Sequence, residues 1–101
     1  MRILLRSLGF STGEALRQHV VRLLHGALTH WADRLVRVVV RLADANGPRG
    51  GLDKVCSIQL ELPRRESVVV TAVSSDYHSA VDLAVRRAGR AAASTFDRRD
   101  Y

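Results

Sequence analysis

One cysteine, one lysine and no long apolar run are what this 101-residue chain offers, and each scarcity removes a class of protein. With Cys56 alone, no internal disulfide can form, so nothing marks the oxidising compartments where such bridges persist. A reduced cytoplasm is the expected location. Near the start, Ile3-Leu4-Leu5 is cut short by Arg6, whereas a secretion signal needs an apolar run of about 7 to 15 residues. No later stretch approaches the roughly 20 apolar residues that cross a bilayer, so no membrane partner is expected.

Chemical motifs are missing too. His19, His25 and His30 do not reproduce the i, i+4 pairing of a helical metal site. Cys56 has no Cys-x-x-Cys partner and reads as a buried structural thiol. Asp44-Ala45-Asn46-Gly47 opens like a calcium loop, but Val55 stands where the closing carboxylate belongs. Gly47, Gly50 and Gly51 lack the spacing and the Lys-Ser/Thr ending of a phosphate loop, and they precede a strand, so a flexible loop is favoured. With no base and nucleophile pair to name, neither an enzyme nor a cofactor, metal or small-molecule substrate is expected.

What is present is hydrophobic content and positive charge. At 47% hydrophobic the chain fits one core, taken as a single domain over 1–95 with a frayed tail over 96–101. Sixteen basic residues against ten acidic leave +6, which attracts polyanions. Lys54 apart, every basic residue is arginine, which forks onto phosphate and stacks on bases as RNA binding requires. GC-rich coding would give the same excess, so residue type alone does not decide.

The order of elements follows from periodicity. Residues 2–8 form an apolar-rich run ended by Gly9, a first strand. Ser11-Thr12-Gly13-Glu14 has capping-box spacing, and Leu16, Val20, Leu23, Leu24, Ala27 and Trp31 make one helical stripe with Arg22 on the opposite side. From Arg34 the period becomes 2, with Val36, Val38, Val40 and Leu42 facing inward and Arg37, Val39 and Arg41 outward. A glycine-rich loop over 44–51 joins this strand to a third over 54–62, where Cys56, Ile58, Leu60 and Leu62 alternate. A tight turn at 63–66 leads to a fourth strand over 67–73. Ser74-Ser75-Asp76 then caps a second helix with an alanine stripe. The expected fold is α+β in βαβββα order: a four-stranded mixed sheet, first pair parallel and the rest antiparallel, with both helices on one face.

Arginine placement suggests where an anion would bind. Helical angles cluster Arg86, Arg87 and Arg90 away from the alanine stripe as a basic ridge, although a solvated outer face carries charge without any ligand. Arg37 and Arg41 occupy the sheet face that the helices leave open, with Arg49 and Lys54 toward the hairpin end. Two basic surfaces without a catalytic constellation point to a polyanion binder.

The βαβββα order, the loop Asn46-Gly-Pro-Arg-Gly-Gly-Leu-Asp-Lys-Val-Cys56 and the helix start Asp76-Tyr-His-Ser-Ala-Val-Asp82 together resemble the ribosome hibernation-promoting and ribosome-associated inhibitor family. The resemblance spans nearly the whole chain and rests most on Gly50-Gly51-Leu52-Asp53-Lys54-Val55-Cys56, similar to a GGxDKxC segment of a short subgroup. It implies a translation silencer that binds 16S ribosomal RNA of the small subunit, occludes the channel of messenger and transfer RNA, and is monomeric off the ribosome. By position, Arg87 and Arg90 match the basic positions of the family's second helix, and Lys54 matches the subgroup's lysine. The chain departs from the family at His78, where tyrosine is frequent, and at Gly89 and the alanines, where lysines are common. The alternative is a protein-interaction or regulatory module that keeps the fold without ribosome binding.

Overall fold

Alternating valines and leucines can bury only one edge-to-edge set of side chains per strand, and the chain uses that set to build one sheet under two helices. The computed structural model describes residues 1–8, 11–45 and 52–99. Strands β1 (Arg2–Leu8), β2 (Arg37–Asp44), β3 (Lys54–Glu61) and β4 (Ser67–Ser74) lie side by side in chain order, with helix α1 (Glu14–Leu28) after β1 and α2 (Tyr77–Arg99) at the end. β1 and β2 are parallel, and α1 is the crossover that parallel neighbours need. The β2–β3 and β3–β4 pairs are antiparallel. The expected order and strand directions are therefore present.

The core lies between the sheet and the helices. Val38, Val40 and Leu42 of β2 join Cys56, Ile58 and Leu60 of β3 in a floor with little or no exposure. Val20, Leu24 and Leu28 cover that floor from α1, while Ala80, Val81, Ala84 and Ala88 cover it from α2. Each fully buried leucine contributes about 1.5–3 kcal/mol by leaving water. Small residues on α2 let the helices come close: a Cβ placed on Gly89 would lie 3.7 Å from the Ala27 Cβ.

Several local expectations are corrected. The Ser11–Glu14 capping box does not form, because α1 starts one residue past an extended Gly13 and has no side-chain cap. Thr12 bonds the Ser7 hydroxyl, and Glu14 accepts from Gln18 Nε2 at 3.3 Å. The α-helix ends at Leu28, and Thr29–Arg34 tightens into a 3-10 turn that carries Trp31. Val36 precedes β2 and is 57% exposed, so it does not belong to the inward set. The frayed tail expected over 96–101 is not found in its described part: α2 continues to Arg99, because Phe96 is buried and stacks on Trp31 at 5.4 Å, with the Arg34 guanidinium 5.4 Å from its ring centre. The turn at Pro63–Arg65 places Arg64 and Arg65 at φ 66° and 62°, the left-handed region that suits glycine better.

Candidate nucleic-acid interface

Helical spacing sets the first surface. His19, Arg22, Leu23 and Gly26 recur at steps of 3 and 4 along α1, and Asp82, Val85 and Arg86 do the same along α2, so the two sets face each other across a groove of about 590 Å³. Leu23, Ala27 and Val85 supply apolar walls, and Arg22 and Arg86 supply cationic ones. His19 Nε2 lies 2.7 Å from Asp82 Oδ1 and ties the helices together. Arg22 Nη2 donates to His19 Nδ1 at 3.2 Å, which leaves Nε2 as the nitrogen that carries the proton toward Asp82. The His78 ring stands 4.9 Å from that of His19. Arg90 lies one turn beyond Arg86 on the same flank, and neither has a carboxylate partner among the described residues.

The expected ridge of Arg86, Arg87 and Arg90 is split. Arg87 turns to the sheet, where its Nη1 donates to the Thr71 carbonyl at 2.6 Å along the edge strand β4. A step of about 100° between neighbours on a helix is enough to send Arg86 and Arg87 to different flanks.

Lys54 is likewise not on the open face. It starts β3 on the same side as Cys56, and its Nζ lies 3.0 Å from both Asp44 Oδ2 and Asp53 Oδ1. It also lies 5.9 Å from the Tyr77 ring centre. Hydrogen bonds to Asp44, then to Asp53, raise its pKa above the ordinary lysine value. Asp53 is fully buried with its Oδ2 unpartnered, so the lysine's charge offsets a carboxylate inside the protein.

Arg37 and Arg41 do occupy the open face. Arg37 forks onto Glu61 through Nε and Nη2, each at 2.7 Å, and this bond raises the guanidinium pKa while holding the Glu61 carboxyl below its usual range. Arg41 Nη1 donates to Gln59 Oε1 at 2.9 Å. Arg49 lies outside the described residues. Of the expected cations, the structure thus gathers Arg22 and Arg86 at the helix groove, with Arg90 one turn beyond Arg86 outside its lining, leaves Arg37 and Arg41 on the opposite side, and engages Lys54 and Arg87 elsewhere.

The His19–Asp82 link escaped sequence reasoning, because its partners are 63 residues apart and no local spacing joins them. Arg6 was also missed, although strict alternation along β1 would have put it on the open face beside Arg41. Burial pushes the Cys56 thiol up to about 12, which keeps it a packed thiol and not a thiolate. Among the described residues no cluster of His, Cys, Asp and Glu could hold a metal ion, and no helix is long and apolar enough to cross a membrane.

Residues 3–99 match the family described as sigma 54 modulation protein / S30EA ribosomal protein. Among solved structures, the chain is similar to a ribosomal subunit interface protein from Coxiella burnetii, with a TM-score of 0.82 and 20% identity over 96% of this chain and 99% of that one. It is also similar to the N-terminal domain of Protein Y from Thermus thermophilus, with a TM-score of 0.73 and 26% identity over 91% of this chain and 96% of that one. A search of the curated proteins finds no match.

Proposed function

The chain belongs to the family of sigma 54 modulation and S30EA ribosomal proteins, and on that premise we propose that it silences translation by binding the small ribosomal subunit and filling the channel used by messenger and transfer RNA. The observation that carries this reading is the helix groove, where Arg22 and Arg86 stand on facing walls, Arg90 follows on the same flank, and neither Arg86 nor Arg90 has a carboxylate partner among the described residues. Such guanidiniums gain most from phosphate oxygens, which they grip through two parallel hydrogen bonds. A net charge of +6 draws the whole domain toward 16S ribosomal RNA. The action is occlusion: a rigid wedge held by phosphate contacts excludes the normal ligands without breaking any bond. Its likeness to a protein described as a ribosomal subunit interface protein supports the same location.

Co-sedimentation with purified small subunits tests the proposal. Binding at low salt should weaken steeply as salt rises, because phosphate contacts release counterions. Reversing Arg86 and Arg90 to glutamate together should weaken binding by about a hundredfold or more, the size of two lost charge-assisted contacts. No binding at low salt rejects the proposal. Binding unchanged by the reversal would favour an interaction module that keeps the fold for another partner.

A further inference from the structure

The helix groove uses one side of the molecule, and the other side has a construction of its own. Strand register aligns Arg6 with Arg41, Arg41 with Ser57, and Ser57 with Thr71, so one row across all four strands consists of two guanidiniums and two hydroxyls. Both arginines are exposed, and the Thr71 hydroxyl donates to Ser57 Oγ at 3.5 Å. Like charges in register repel, so this pair is costly until an anion lies between them. Glu61, the acid that register puts on this face, is forked by Arg37 and attracts Arg41 only through space, so Arg6 is left without an acid among the described residues.

On either side of the charged row the face is aliphatic. Leu8 and Val73 end the row on one side, at 77% and 45% exposure, and Val69 on the other is 56% exposed. Among the described residues, three of the five large hydrophobic side chains that are exposed therefore lie on this one surface. Isolated exposed aliphatic residues need no explanation, but a set flanking two exposed arginines in register does.

Three occupants can be compared on chemistry. RNA binds open sheet faces by stacking bases on aromatic rings, and none of the residues that register places on this face is aromatic. A phosphate strand alone would leave the valines uncovered. A second copy of this chain would bring another +6 against the same arginines. A protein segment with carboxylates flanked by aliphatic side chains satisfies both features, since arginine beside apolar surface is the common composition of protein interfaces.

We propose that the open sheet face is a second binding surface, which takes an acidic, aliphatic segment of a partner protein with a carboxylate seated between Arg6 and Arg41. Its apolar side chains cover Val69 on one side and Leu8 and Val73 on the other. The molecule is then two-sided, with RNA on the helices and a protein on the sheet.

Amide shifts of the isotope-labelled chain, followed by NMR during titration, test this with three probes: an alternating Glu/Leu peptide, its Lys/Leu counterpart and an oligouridylate. The Glu/Leu peptide should move the amides of Arg6, Arg41, Ser57, Thr71 and Val69, and the Lys/Leu peptide should not. Arg6→Glu and Arg41→Glu should each weaken the Glu/Leu response about tenfold or more, the size of a charge-assisted hydrogen bond. Arg86→Glu should leave it unchanged while reducing the response to oligouridylate, and this separates the proposal from the ribosome reading. Val73→Ser should also weaken the peptide and report on the aliphatic half in a chain whose charge is intact. The proposal is overturned if the open-face amides ignore the Glu/Leu peptide, if they respond equally to the Lys/Leu peptide, or if oligouridylate moves them.

Discussion

Asp76 starts α2 with both of its carboxylate oxygens: Oδ1 accepts from the Ser79 N–H at 2.8 Å and Oδ2 from the Ser79 hydroxyl at 3.0 Å. Those bonds hold its carboxyl below the ordinary value of 3.8. A carboxyl whose pKa is lowered by folding contributes stability that is full above its unfolded value and is lost as pH falls through the folded one. Glu61, lowered by the Arg37 fork, acts in the same direction. Urea midpoints should therefore drop as pH falls below the ordinary carboxylate range, and Asp76→Asn, which keeps an accepting oxygen but does not titrate, should flatten that drop. An unchanged slope would mean that the cap is not formed in solution. Gly89 makes the opposite kind of test. A methyl group there meets Ala27 at an ordinary 3.7 Å, so Gly89→Ala should stabilise the chain by about 1 kcal/mol, read as a higher urea midpoint.

Among the elements, the end of α2 depends most on a distant contact. Phe96 is 4% exposed and packs on Trp31, which the 3-10 turn after α1 delivers. Phe96→Ala should cost about 3–5 kcal/mol and unwind the last turns of α2, seen as lost helical circular dichroism together with a lower melting temperature. An effect within 0.5 kcal/mol, the range of ordinary surface substitutions, would show that the tail does not hold the fold. This same element shows where sequence reading stopped. The sheet was legible because alternation in β2 and β3 fixes which side chains face inward, and one face must be buried. The end of α2 was not: Phe96 falls one step of four beyond Ala84, Ala88 and Ala92, but Trp31, the residue it packs on, lies 65 positions earlier and no local spacing joins the two. The start of α1 failed for a different reason: Ser11 and Glu14 have the spacing of a cap, but Ser7 engages Thr12 and the helix begins after Gly13. The helix groove was half legible, since Arg22 and Arg86 could be named from helical angles while the facing of α1 and α2 could not.

Across the whole molecule, arginines of equal formal charge are not equally available to RNA. Arg37 already holds a carboxylate through two bonds at 2.7 Å, whereas Arg86 lines the groove with no internal carboxylate among the described residues. Only a cation that displaces counterions from phosphate contributes to the salt dependence of binding, by about one unit of the log–log slope per contact. Arg86→Gln should therefore lower the slope for small-subunit association by about one unit and weaken binding at low salt. Arg37→Gln removes the same formal charge, so a simple net-charge account expects the same loss. It should instead leave the slope unchanged and lower the melting temperature, because Glu61 loses its partner on the sheet. Measuring both variants over a salt series separates a groove that meets phosphate from a diffuse attraction of the whole domain: equal slope changes would mean that net charge, and not the placement of Arg22, Arg86 and Arg90, governs the encounter.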